Sequence, residues 1–359
     1  MRMTFRWYGR DNDTISLKMI RQIPGVKGIV WALHDIPAGE AWPEERIADE
    51  VSYIKENGFD AEVVESVNVH ESIKLGISER DSYIENYKET IIRLSKHGVK
   101  VICYNFMPVF DWLRTDLHKE LPDGSTALYF DKNKIAHITP QQLVDEFGQR
   151  NDGLTLPGWE PERLTRLKEL FDQYTDVSED DLWENLKYFL KAIVPVAEAH
   201  GIKMAIHPDD PPFSIFGLPR IITSQENLRK LINLIDSPSN AITLCSGSLG
   251  SVETNDIISM INEFQERIPF AHVRNVKRFE DGSFVESSHW IEDGSVDIVG
   301  IMQAYHENNF IGYVRPDHGR HIWNEVCRPG YGLYDRALGI MYLLGIWDSE
   351  NNKRNTQLF

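Results

Sequence analysis

Long apolar runs are missing from this chain: none approaches the roughly 20 residues that a helix needs to cross a bilayer. The opening MRMTFRWYGR also lacks the apolar core of a secretory signal. Cysteine is scarce, with 3 in 359 residues, widely spaced. That odd number excludes a disulfide framework and fits a reducing compartment. We therefore expect a soluble, cytoplasmic protein. Positive charge is in deficit: 38 Lys and Arg against 55 Asp and Glu leave a formal charge of −17. Nucleic acid and anionic membrane both need a basic surface, so neither is expected as a partner. An anionic small substrate stays admissible where arginine or lysine lines its pocket. Also absent are a Gly-rich phosphate loop with its trailing Lys-Ser/Thr, a GxSxG elbow and an HExxH helix.

What the chain does have is alternation. Short apolar stretches at Thr4–Tyr8, Gly28–Leu33, Ala61–Val64, Val99–Tyr104, Met204–His207, Ile242–Cys245, Phe270–Arg274 and Phe310–Arg315 read as strands. Helical patterns lie between them, at Ile15–Ile23, Glu44–Asn57, Ser78–His97, Asp181–His200, Gln225–Ile235, Asp256–Arg267 and Val296–Asn308, with Leu333–Trp347 closing the chain. Asn57-Gly58, Gly98 and Gly201 supply the stops. Strand–helix alternation argues for a parallel sheet, and a count of eight pairs favours a closed (β/α)8 TIM barrel, one domain over residues 1–359. Two excursions interrupt it. The first, about 106–180 after strand 4, contains one helical pattern at Pro161–Gln173; a homo-oligomer contact or a cover for the barrel mouth is expected there. The second, about 275–294 after strand 7, carries Asp281-Gly282 and Asp293-Gly294 turns and reads as a hairpin.

Four potential metal ligands end four of the strands: His207 in KMAIHPDD, Cys245 in AITLCSGS, His272 in PFAHVRNV and Asp317 in GYVRPDHG. Their spacing is about one βα unit, roughly 30 residues each. In a parallel barrel the C-terminal strand ends meet at one face, so these side chains are expected to converge. Singly, each has an ordinary structural explanation, as a satisfied polar group or a small core residue. At four consecutive strand ends they point to a divalent metal. By softness alone, imidazole, thiolate and carboxylate favour Zn²⁺ or Fe²⁺.

Period-two alternation adds candidates on the same strand faces. Arg274 lies in register with His272, and Arg315 with Asp317; either is suited to a substrate carboxylate. Arg6 and Arg320 are looser candidates for the same role, and His34, Glu65 and Asn105 sit near early strand ends. His318, Tyr331 and Tyr334 follow the last ligand and are candidate general acids or bases, with Asp317 among the catalytic set.

The opening FRWYGRDNDTISLKMIRQIPGVKGIVWALHDIPAGEAW resembles the N-terminal signature of the mannonate dehydratase family. HPDDPP, CSGSLG, AHVRN and RPDHGR resemble that family's metal and substrate segments, in the same order. The resemblance implies a xylose-isomerase-like barrel that dehydrates D-mannonate to 2-keto-3-deoxy-D-gluconate in hexuronate breakdown. It implies Mn²⁺ or Fe²⁺ on His207, Cys245, His272 and Asp317, with Arg274 or Arg315 on the sugar-acid carboxylate. His318 and a tyrosine, Tyr331 or Tyr334, would then share the proton transfers. A metal-dependent sugar isomerase or epimerase is the alternative, because ene-diolate chemistry needs the same parts.

Overall fold

The alternation resolves, in a computed structural model, into twelve strands among the described residues. In chain order they are β1 (Arg2–Arg6), β2 (Gly28–Trp31), β3 (Asp60–Glu65), β4 (Val101–Tyr104), β5 (Asp116–Glu120), β6 (Thr126–Phe130), β7 (Lys203–Ile206), β8 (Asn240–Cys245), β9 (Phe270–His272), β10 (Val276–Arg278), β11 (Phe284–Glu286) and β12 (Tyr313–Arg315). The structure describes residues 1–148 and 166–357. Eight of these strands, all parallel, close in the order β1-β12-β9-β8-β7-β4-β3-β2. All eight expected barrel strands are present, with ends differing by up to three residues. Among the described residues no helix is long and apolar enough to cross a membrane.

Side chains alternate along each strand, so one set faces the barrel axis and the other faces the helices. Val30, Val63, Val101, Cys103, Ala205, Ala241 and Phe270 form a compact cluster of their own, with Tyr313 against it. These residues fill the barrel interior, and most are small because eight converging strands leave little room. Two residues further along, the same alternation puts Glu65, His272, Cys245 and Arg315 on the inward face. The register makes Cys245, His272 and Arg315 direct neighbours across β8, β9 and β12. Polar groups thus begin where the apolar plug ends, at the C-terminal mouth.

The outer layer follows ordinary helix rules. The helix Glu179–Ala199 begins with a capping box, Ser178 and Asp181 satisfying each other's backbone N–H groups. It buries Leu182, Leu186, Phe189, Leu190 and Ile193 at helical spacing against the strands. The closing helix is longer than expected, Leu333–Gln357. A five-residue helix, Ser246–Gly250, follows Cys245 directly and is too short to leave a periodic pattern. Of the expected helix at 161–173, the described part is Leu167–Tyr174; residues 161–165 lie outside the described residues.

The excursions are the main surprise. The second is the expected hairpin, with β10 and β11 antiparallel around Asp281-Gly282. The first contributes β5 and β6, and all four strands join in one antiparallel sheet ordered β10-β11-β6-β5. Phe284 pairs with Phe130 across β11 and β6, their rings stacked at 5.3 Å. Two insertions far apart in sequence therefore build a single element. Ser178→Ala should lower stability by about 1 kcal/mol through loss of the cap. Urea unfolding checks this, with kcat expected to stay unchanged.

Candidate metal centre and active site

His207, Cys245, His272 and Asp317 each offer one ligand atom, and these atoms all lie within 4.8 Å of one another. Strand alternation places the first three. Asp317, two residues past Arg315, adopts a φ of 59°, in the left-handed region that few non-glycine residues occupy. That turn sends its carboxylate back over the mouth. His207 Nδ1 lies 2.6 Å from the Pro208 carbonyl oxygen and donates to it, which leaves Nε2 as the free nitrogen. On His272 the roles are reversed. Its Nδ1 is buried without a hydrogen-bond partner, while Nε2 lies 3.4 Å from Glu65 Oε2 and 3.0 Å from Arg315 Nε.

The donor set fits a divalent metal. Cys245 Sγ lies 3.5 Å from Asp317 Oδ2, an approach that two anions tolerate only with positive charge between or beside them. Burial works against ionising Cys245, but the neighbouring Arg274 outweighs it and holds the thiol well below its usual range. Burial likewise opposes ionised Asp317, and Arg315 with His318 overrides it. Without metal, burial disfavours the His207 imidazolium, yet the hydrogen bond and charge of Cys245 raise it to about 9. The orphaned Nδ1 of His272 completes the case for a cation among these four.

Around the cluster lies a dry network of charges. Arg274, fully buried, donates from Nε to Asp317 (2.6 Å), from Nη1 to Glu286 (2.6 Å) and from Nη2 to Asp210 (2.7 Å). Arg114, from the first excursion, reaches Asp210 at 2.7 Å and Glu286 at 2.6 Å. Arg315 Nη2 reaches Glu65 at 2.9 Å and Asp317 at 2.8 Å, while its Nη1 is buried and unpartnered. His318 Nδ1 faces Glu286 at 3.1 Å and its Nε2 faces the Tyr331 hydroxyl at 3.0 Å.

Several expected residues are brought together here and others are not. Arg6 is buried, 3.9 Å from Glu65, with its Nη1 unpartnered, and the half-buried His34 likewise has an orphaned Nε2. Arg274, expected to face a substrate carboxylate, has all three of its nitrogens donating to carboxylates of the chain itself. Arg320 pairs with Asp335 and Asp123, both at 2.9 Å, because its strand has already ended and its side chain follows the loop outward. Tyr334 is 40% exposed on the closing helix, beside Trp323, since helical spacing turns it away from Tyr331. Asn105 is half-buried and caps Met107 N–H at 3.3 Å. Sequence reasoning does not find Arg114, Asp210 or Glu286. Only Asp210 has a signal, its place in HPDDPP. A cavity of about 990 Å³ opens next to Tyr8 and His34, lined also by Asn12, Glu71 and Arg328.

The family model for D-mannonate dehydratase (UxuA) matches residues 1–357. The chain belongs to the D-mannonate dehydratase family. Mannonate dehydratase 1 of Halalkalibacterium halodurans is 63% identical over 352 residues, 98% of this chain and 97% of the relative. The crystal structure of mannonate dehydratase from Streptococcus suis serotype 2 superposes with a TM-score of 0.90 at 44% identity, covering 99% of this chain and 96% of that one. A xylose isomerase domain protein from Planctomyces limnophilus, at 11% identity and a TM-score of 0.56 over 98% of each chain, shares the barrel fold. The expected xylose-isomerase-like barrel is therefore present. Dehydratase relatives matching from end to end do not favour the isomerase or epimerase alternative.

A dehydratase-family metal centre built this way has two testable properties. Metal needs neutral His207, so binding at neutral pH should release about one proton from it. Apparent Mn²⁺ affinity should rise by about one log unit per pH unit up to about 9, then level off, as read by calorimetry in buffers of different ionisation enthalpy. A Cβ on Gly247 would meet Arg274 Cγ at 2.5 Å. Gly247→Ala should displace that guanidinium and weaken metal binding about ten-fold or more.

Proposed function

We propose that this chain removes water from D-mannonate to give 2-keto-3-deoxy-D-gluconate, in the cytoplasm, with Mn²⁺ or Fe²⁺ held by His207, Cys245, His272 and Asp317. The observation that supports it best is the convergence of those four side chains within 4.8 Å, in a family member matched over residues 1–357. A divalent ion bound there supplies Lewis-acid stabilisation of charge on the substrate carboxylate.

The remaining demands fall on side chains. When the C2 proton leaves, charge builds on the carboxylate oxygens and needs fixed donors nearby. Arg315 keeps a buried Nη1 without a partner, and Arg6 Nη1, 3.9 Å from Glu65, makes no hydrogen bond, so both have a donor to give. A base takes the C2 proton and an acid protonates the departing 3-hydroxyl. We assign these to His318 and Tyr331, whose facing atoms are 3.0 Å apart. Burial pushes the Tyr331 phenol well above its usual range and Tyr8 adds to this, which keeps it protonated and suits it to the acid. His318 is then the base. Glu286 accepts from its Nδ1 and so leaves Nε2 to exchange the proton.

The deciding assay adds Mn²⁺, Fe²⁺ and Zn²⁺ separately to metal-free protein with D-mannonate and scores keto-acid product. Product with Mn²⁺ or Fe²⁺ is expected, and none with any metal overturns the reading. His318→Asn and Tyr331→Phe should each cut kcat by about 10²- to 10⁴-fold. Near-full turnover at saturating mannonate would remove either residue from the mechanism. His207→Ala should no longer carry stoichiometric metal.

A further inference from the structure

Arg328 is only 4% exposed, yet among the described residues no carboxylate forms an ion pair with it. Its Nη2 donates to Asn12, to the backbone oxygen at 2.9 Å and to Oδ1 at 3.1 Å. Its Nε is buried and has no partner. The nearby Asp13 is already taken, accepting from the N–H groups of Tyr8 and Ile15, both at 2.9 Å. A buried cation without an anion is costly, and proteins rarely keep one that nothing uses. Arg114, Arg274 and Arg315 are bound to carboxylates, and the buried Arg336 has Nε, Nη1 and Nη2 each on a backbone oxygen. Arg328 has neither a carboxylate nor a full set of acceptors.

Its surroundings point to a ligand. The guanidinium lies 4.2 Å from the centre of the Tyr8 ring, and Arg6 lies 4.9 Å from the same centre. The Tyr8 hydroxyl and His34 Nε2 are buried and unpartnered too, with the two rings 5.0 Å apart. Tyr8 also touches Tyr331 edge-on at 5.0 Å. Arg328, Tyr8, His34 and Asn12 all line one cavity. Three orphaned polar atoms thus gather around the Tyr8 ring, which touches the proposed acid Tyr331.

We propose that Arg328, with Tyr8 and His34, forms the subsite for the far end of the sugar acid and sets the enzyme's choice of chain length. This rests on the dehydratase reading, which places the carboxylate end at the metal. Tyr8 and His34 take the hydroxyls beyond C4. Arg328 takes the terminal oxygen, and its uncompensated charge makes a second carboxylate at C6 welcome there.

Three compounds test this on the metal-loaded enzyme: D-mannonate, the matching diacid with C6 oxidised to a carboxylate, and the four-carbon acid lacking C5 and C6. The last two are read as competitive inhibitors. Arg328→Gln should raise KM for mannonate about ten-fold or more, with kcat changed by less than about three-fold. The diacid should bind the wild type more tightly than mannonate does, and Arg328→Gln should abolish that advantage. The four-carbon acid should have the same Ki on both proteins. Tyr8→Phe, which keeps the ring and removes only the hydroxyl, should raise KM about three- to ten-fold and also spare the four-carbon acid. Unchanged KM in both variants of an active enzyme overturns the subsite alone. So does an equal loss for the four-carbon acid, which would mark Arg328 as a loop clamp. A wild type that leaves mannonate intact overturns the dehydratase reading and this inference with it.

Discussion

The guanidinium of Arg274 carries the arrangement of the site. It meets Asp317, Glu286 and Asp210, one carboxylate at each nitrogen, with no solvent on any side. In such a place charge interactions are strong and desolvation is severe, so each ion is tolerable only because the others are present. Removing one member strands its partners, at a typical cost of about 3–5 kcal/mol. The same guanidinium holds the Cys245 thiol well below its usual range against the effect of burial. Arg274 thus touches one candidate ligand and shifts the ionisation of another. Gly247 is part of this, because only a residue without a side chain lets the guanidinium lie where it does.

Much of this was legible in the sequence. The barrel was, because strand and helix periods differ and the glycine stops were in place. The convergence of the four candidate ligands was, because each lies at or just past the end of an apolar run, and inward alternation leaves one or two positions per strand at the mouth. His318 and Tyr331 stand out in the sequence only as titratable groups downstream of Asp317; their meeting depends on the course of a loop.

What stayed hidden has physical reasons. Arg114 and Glu286 come from the excursions, where no period relates them to the barrel axis. Arg274 was visible as a residue but its role was not, since its three carboxylates lie on three separate segments. Arg328 shows nothing in sequence to separate it from a surface arginine; its burial and its lack of an anion exist only in the folded chain. Tyr334 looked equivalent to Tyr331 because three residues of spacing decide nothing until the helix start at Leu333 is known.

The sheet shared by the two excursions ties the surroundings of the cluster to distant parts of the chain. Arg274 is steadied by Glu286 of β11 and, through Asp210, by Arg114 of the first excursion. These come together only when β6 and β11, far apart in the sequence, pair. Arg114, Asp210, Arg274 and Glu286 all precede Asp317, so a chain leaving the ribosome carries the surrounding charges before its last candidate ligand.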